Sequence, residues 1–118
     1  MTDKVVLVVE DEPSNARLLA LLVERCGVRV EVAHDGQRAL EMLRARDFDL
    51  VLLDLILPVM RGEELLGIMK TDTRLRDVPV LIITTMGGPG DPDECPLPHI
   101  RKPFRTVEVR AAISEYLR

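Results

Sequence analysis

The sequence is poor in cysteine, and its two cysteines, Cys26 and Cys95, belong to no paired or metal-binding motif. Disulfide-rich domains carry several cysteines, and structural zinc sites carry them at short, regular spacings. The two isolated thiols therefore argue against a disulfide framework and against a zinc site.

Runs of lysine or arginine are also absent, and the net charge of the chain is -4. A surface that binds nucleic acid or acidic lipid normally carries a basic patch. The apolar run near the N-terminus, Val5 to Val9, is too short for a signal peptide or for a membrane span of roughly 20 residues. We therefore expect a cytoplasmic protein that binds no membrane and makes no direct contact with nucleic acid.

The composition that remains is that of a folded domain, with 47% hydrophobic and 31% charged residues. A chain of 118 residues is long enough to bury one core of ordinary size and too short for a second. We therefore predict a single domain over residues 1–118.

Apolar strands alternate with helical patterns along the chain. Val5–Val9 and Leu50–Leu53 are uninterrupted apolar runs, as expected of interior parallel strands that are covered on both faces. The alternating residues 28–32 suit an edge strand, and residues 78–83 and 99–101 predict two more strands. The helical segments between them, with short connections, imply right-handed crossovers. We predict a flavodoxin-like α/β fold with a single doubly wound, parallel, five-stranded sheet in the order 2-1-3-4-5.

Residues 86–98 interrupt this rhythm, because they contain three glycines and four prolines. Proline removes a helical hydrogen bond, and glycine weakens a helix through its conformational freedom. We therefore predict that a glycine- and proline-rich loop replaces the fourth helix of the fold.

Acidic side chains follow two strands that this order makes neighbours. Glu10 and Asp11 come directly after the first strand, and Asp54 ends the third. The carboxyl ends of parallel strands meet at one edge of the sheet, where helices that leave in opposite directions open a crevice. Three carboxylates in one crevice repel each other unless a cation lies among them, and hard oxygen ligands favour Mg²⁺. The sequence therefore predicts a magnesium site.

A metal ion beside Asp54 would make its carboxylate a candidate nucleophile toward phosphorus, because the ion holds the incoming phosphoryl group. Strands four and five would bring the Thr84 hydroxyl and the Lys102 ammonium toward the same crevice, where both can hold phosphoryl oxygens. Each residue alone has a plainer explanation as a turn, strand or surface residue. The coincidence of five suitable side chains at the ends of four strands favours a phosphoryl-transfer site.

Several segments have the residues and spacing of a known family. Val8–Pro13 is similar to an acidic pair after strand one, and Leu53–Gly62 is similar to a phosphoacceptor turn. Thr84 matches a switch hydroxyl, and Lys102–Phe104 matches a lysine followed by a cis proline, here Pro103. Over nearly its whole length the chain resembles the receiver domain of two-component response regulators, a family that includes the chemotaxis regulators.

The resemblance implies that a histidine kinase or a phosphotransfer protein donates a phosphoryl group to Asp54. Glu10, Asp11, Asp54 and the backbone carbonyl of Ile56 would hold the Mg²⁺ ion. The aspartyl phosphate would draw Thr84 inward and, with His99 as the second switch residue, change the surface presented to a downstream protein. Such a chain is not a metabolic enzyme, since it catalyses only its own phosphorylation and dephosphorylation.

The chain departs from the family pattern at a few positions. His99 replaces the usual aromatic switch residue, and Arg61 replaces an acidic residue that is common in the turn. In the family, the positions of Ile56 and Met86 influence how water reaches the phosphorylated aspartate. Both residues are apolar here, so the resemblance predicts slow autodephosphorylation.

Two other classes of function are open to a chain of this kind. A receiver-like module that binds proteins without phosphorylation is the alternative, and the predicted loss of helix four favours it. A phosphohydrolase with an aspartyl intermediate is disfavoured, because it needs a second acid two residues after the nucleophile, where Ile56 stands.

Overall fold

The computed structural model describes residues 4–55, 57–85, 99–102 and 106–117. The chain alternates between strands and helices throughout these ranges. The elements are β1 (Val5–Val9), α1 (Pro13–Arg25), β2 (Arg29–Ala33), α2 (Gly36–Ala45), β3 (Leu50–Asp54), α3 (Gly62–Thr71), β4 (Val80–Thr85), β5 (His99–Lys102) and α4 (Thr106–Tyr116).

All strand pairs in the sheet are parallel, and the strands lie in the order β2-β1-β3-β4-β5. The expectation of an α/β fold with a parallel sheet is confirmed. Strand β4 begins two residues later than predicted, at Val80, and Pro79 contributes only its carbonyl, which accepts a hydrogen bond from the Val51 amide. The predicted loop at residues 86–98 lies outside the described residues.

The core consists of two apolar clusters, one on each face of the sheet. Alternate residues of β1 divide between them, because successive side chains of a strand point to opposite faces. One cluster joins the β1 residues Val5, Leu7 and Val9 to apolar residues of α2 and α3. The other joins Val6 and Val8 to apolar residues of α1 and α4. The predicted burial of β1 on both faces is therefore confirmed, and all five of its residues are buried.

Side-chain caps begin the first two helices. The Glu12 carboxylate accepts hydrogen bonds from the amides of Ser14 and Asn15, and Pro13 is the first helical residue, where its missing N–H is tolerated. Asp35 caps α2 by accepting a hydrogen bond from the Arg38 amide at 2.7 Å. These caps fix where the chain turns from the carboxyl ends of β1 and β2 into helices.

Among the helices that the structure describes, none combines the length and the apolar character needed to span a bilayer.

Candidate functional site

Three carboxylates meet at the carboxyl ends of the two central strands. Glu10 and Asp11 directly follow β1, and Asp54 is the last residue of β3. The pairing of Val9 with Leu53 sets Glu10 and Asp54 beside each other, because each is the next residue along its strand. Carboxylate oxygens of the three acids lie within 4.8 Å of one another. The predicted gathering of these acids in one crevice is therefore present in the structure.

The three acids differ in burial. Glu10 is 0% exposed and Asp54 is 5% exposed, and no other polar or charged residue is buried among those whose side-chain burial the structure describes. Asp11 is exposed at the mouth of the cluster. Every buried polar side-chain atom among the described residues has a hydrogen-bond partner. The cluster thus has a buried inner part, whose polar atoms are hydrogen-bonded, and an open side that solvent can reach.

Oxygen ligands at these separations suit a hard divalent cation. Mg²⁺ prefers a small number of carboxylate ligands and keeps several of its waters. Because Asp11 is exposed, the open side of the cluster leaves room for the ion and for those waters. Softer metals favour sulfur or imidazole ligands, and neither kind of atom belongs to this cluster. The donor set therefore fits Mg²⁺, with Glu10, Asp11 and Asp54 as the residues that could hold it.

The loop that carries the acidic pair is tied to the end of β2. The Glu10 amide donates to the Ala33 carbonyl at 3.0 Å, and the Glu10 carbonyl lies 3.2 Å from Nδ1 of His34. The Glu12 amide contacts the Glu10 carboxylate at 3.4 Å. No pattern in the sequence indicates His34, because its contact with the Glu10 carbonyl joins residues that are 24 positions apart.

The turn after Asp54 is held close to the site by a glycine. The Gly62 amide donates to the Leu55 carbonyl at 3.0 Å, which closes the turn against the end of β3. A Cβ atom at position 62 would lie 2.6 Å from the Leu55 Cα and 2.8 Å from the Asp54 carbonyl oxygen. Only glycine permits this approach, so Gly62 helps to position the phosphoacceptor candidate.

The same turn contains a strained residue. Val59 has a φ of 67°, and the amide of Met60 donates to the carbonyl of Pro58 at 2.7 Å, which is the hydrogen-bond pattern of a γ-turn. A β-branched residue rarely adopts a positive φ. The backbone of Met60 is also pressed against Gly36 at the start of α2, which leaves no space for a side chain there. The turn therefore packs between the end of β3 and the start of α2.

The other predicted site residues belong to β4 and β5. Thr84 lies near the carboxyl end of β4, one residue past the pairing of Asp54 with Ile83, and Lys102 is the last residue of β5. The backbone therefore places both at the same edge of the sheet as the acidic cluster. His99 begins β5 and pairs with Ile82, farther from that edge.

Three further residues of the sequence-based assignment, Ile56, Met86 and Pro103, lie outside the described residues. The proposed metal contact of the Ile56 carbonyl and the cis peptide before Pro103 stay predictions.

Comparison with known proteins identifies the class to which this fold and this acidic crevice belong. The sequence model of the family described as "response regulator receiver domain" matches residues 6–114. The chain therefore belongs to the response regulator receiver family, and it is a receiver domain of two-component signalling.

Individual relatives agree with this assignment. The chain is 32% identical to the polar-differentiation response regulator DivK of Brucella ovis, over 97% of this chain and 96% of that protein. The receiver domain of a signal transduction histidine kinase from Syntrophus aciditrophicus is 30% identical, with a TM-score of 0.87 over 97% of this chain and 89% of that one.

A third relative is similar in structure and carries a metal. The receiver domain of the sensor histidine kinase PA1611 from Pseudomonas aeruginosa PAO1 is 25% identical, with a TM-score of 0.88 over 98% of each chain. Its structure has a magnesium ion coordinated in the active-site cleft.

Proposed function

We propose that this receiver domain is phosphorylated on Asp54 in a Mg²⁺-dependent reaction, and that phosphorylation switches a surface that binds another protein. The observation that supports this most strongly is the cluster of carboxylate oxygens within 4.8 Å, with Asp54 at the end of a central strand. A carboxylate beside two other acids is well placed to share a divalent cation with them and with an incoming phosphoryl group.

The donor in this proposal is a phosphohistidine of a histidine kinase or a phosphotransfer protein. An oxygen of the Asp54 carboxylate attacks phosphorus, and the bond between phosphorus and the donor nitrogen breaks, with the electron pair returning to the imidazole. The product is an acyl phosphate on Asp54 and a free histidine on the donor. The chain consumes no metabolic substrate, so it is not an enzyme in the ordinary sense.

Mg²⁺, when bound, would neutralise the negative charge that builds up between the carboxylates and the phosphoryl oxygens. Glu10, Asp11 and Asp54 would hold the ion with their side chains, and Ile56 would hold it with its carbonyl. Thr84 and Lys102, at the ends of β4 and β5, would bind phosphoryl oxygens as a hydroxyl donor and a cation.

The switch follows from the added charge. A phosphoryl group brings about -1.5 to -2 charge and three strong acceptor oxygens into the crevice. In this proposal Thr84 moves toward those oxygens, and the side chain of His99 on the neighbouring strand β5 moves with it. These movements change the surface that a downstream protein recognises.

Mass spectrometry of the intact protein tests the proposal. Incubation with acetyl phosphate and Mg²⁺ should add one phosphoryl group to the wild-type chain, and chelation of the metal should prevent it. Asp54→Asn should remove the adduct. Asp47→Asn, which changes an exposed acid near the opposite end of β3, should keep it.

The absence of an adduct with acetyl phosphate and with a cognate kinase would reject phosphorylation of this chain. A partner complex that forms equally well with the Asp54→Asn variant would then favour the phosphorylation-independent binding module.

A further inference from the structure

His34 is a candidate for a role at the acidic cluster that its sequence position does not reveal. It follows β2 directly and is exposed, yet its Nδ1 lies 3.2 Å from the Glu10 carbonyl oxygen. A carbonyl oxygen can only accept, so Nδ1 carries the proton and donates in this contact. The imidazole therefore bonds to the backbone of the loop that bears two of the three acids.

This bond acts on one particular peptide group. The Glu10 carbonyl belongs to the peptide that joins Glu10 to Asp11, and a peptide group is planar. On its other side, the Glu10 amide is already bonded to the Ala33 carbonyl at 3.0 Å. The two hydrogen bonds together hold the Glu10 backbone at both its N–H and its C=O against the end of β2.

Asp11 is the acid that depends most on this restraint. Glu10 and Asp54 are buried, whereas Asp11 is exposed. Within the described ranges, the Asp11 carboxylate makes no hydrogen bond or ion pair with another residue. Its oxygens reach the cluster only through its own two side-chain torsions, starting from the peptide that His34 holds. A rotation of that peptide would displace the Asp11 carboxylate from the other two.

We propose that His34 is a positioning residue for the cation site: its hydrogen bond to the Glu10 carbonyl orients the Glu10–Asp11 peptide so that Asp11 can reach the ion. The inference rests on the proposed function, because it assumes that the cluster binds Mg²⁺. Removal of a group that orients a metal ligand through a hydrogen bond commonly weakens metal binding by about an order of magnitude.

The surroundings of His34 allow the hydrogen bond to be tested apart from packing. The side chain lines an open surface pocket of about 360 Å³, together with Pro13, Ala16, Arg17 and Val32. A substitution at this exposed position therefore removes few core contacts. The free energy of unfolding of the metal-free protein should change little in any of the variants below.

Two substitutions separate the donor from the shape of the side chain. Asparagine can place its amide nitrogen two bonds beyond Cβ, where Nδ1 of histidine stands, so His34→Asn keeps a donor. Leucine has a methyl group at the same place, so His34→Leu removes the donor and keeps a similar volume near the backbone. The comparison of these two variants isolates the hydrogen bond.

The measurement is the dissociation constant for Mg²⁺ alone, obtained by isothermal titration calorimetry of the whole chain at one pH. We expect His34→Leu to bind Mg²⁺ about three- to tenfold more weakly than the wild type, and His34→Asn to stay within about twofold of it. The rate of phosphorylation by acetyl phosphate should fall in His34→Leu at low Mg²⁺ and recover at saturating Mg²⁺.

The outcomes separate the two proposals. Wild-type protein that binds no Mg²⁺ would overturn both the metal dependence of the proposed function and the role of His34. Mg²⁺ binding that is equal in the wild type and His34→Leu would overturn the role of His34 alone. A loss in His34→Asn as large as that in His34→Leu would also overturn it, since the donor would then be irrelevant.

Discussion

The strained turn beside Asp54 leads to a quantitative prediction about stability. Val59 has a φ of 67° and is 82% exposed. A positive φ costs a non-glycine residue about 1 to 2 kcal/mol, and asparagine tolerates this region better because its side chain can bond to the local backbone. Val59→Asn should therefore relieve much of the strain without the added flexibility of a glycine.

Little packing opposes this gain. A valine that keeps only a fifth of its surface from water contributes about 0.3 to 0.5 kcal/mol through burial, scaled from about 1.5 to 3 kcal/mol for full burial. Subtracting this from the relieved strain leaves a net stabilisation of about 1 kcal/mol. For a chain of this length that corresponds to an increase in Tm of about 3 to 5 °C.

Circular dichroism is the suitable assay, because the chain has no tryptophan and a single tyrosine. Thermal unfolding should be followed without metal for the wild type, Val59→Asn and Val59→Ala. The alanine variant keeps the Cβ atom and most of the strain, so its Tm should stay near that of the wild type.

Val107→Asn is the matched control, because Val107 is also an exposed valine, at 71%, but lies in helix α4 with an ordinary backbone conformation. Its substitution should not raise Tm. A Val59→Asn variant that unfolds at or below the wild-type temperature would refute the argument, and so would an equal gain in Val107→Asn.

Four further predictions concern the site and the turn. Gly62→Ala should destabilise the fold by at least about 2 kcal/mol in urea unfolding, since its Cβ would lie 2.6 Å from a backbone atom, whereas Gly67→Ala in the same helix has open space and should stabilise by about 1 kcal/mol. Arg61 is the N-cap residue of α3 and makes no side-chain cap hydrogen bond, and its ion pair with Glu63 is exposed and contributes little. Arg61→Asp should therefore add about 1 kcal/mol to the free energy of unfolding, and an unchanged urea midpoint would contradict this. Mg²⁺ at about 100 times its dissociation constant should stabilise the wild type by about 2.7 kcal/mol, and Asp54→Asn should lose most of that increase in Tm. Ile56→Asn should shorten the lifetime of the aspartyl phosphate by offering water a hydrogen-bond partner. If the aspartyl phosphate of the wild type lasts no longer than that of the Ile56→Asn variant, this residue does not limit hydrolysis.

The sequence alone determined the layered architecture, because its local signals all agree. The uninterrupted run Val5–Val9 predicts an interior parallel strand, and Pro13 and Asp35 mark where two helices begin. The structure contains each of these elements. Burial pattern and capping chemistry are properties of neighbouring residues, so they are readable without the fold. The meeting of Glu10, Asp11 and Asp54 followed one step later, from the rule that parallel strands end at one edge.

Other features depend on contacts between residues that are distant in sequence, and only the tertiary structure decided them. Nothing local predicts that His34 bonds to the Glu10 carbonyl, since 24 positions separate the two residues. The need for glycine at position 62 comes from the backbone of Leu55 folding back against it. The unequal burial of the three acids likewise depends on how the sheet and helices close around them. Residue type and spacing state which chemistry is available, whereas distances of a few ångströms across the fold decide which groups hold it in place.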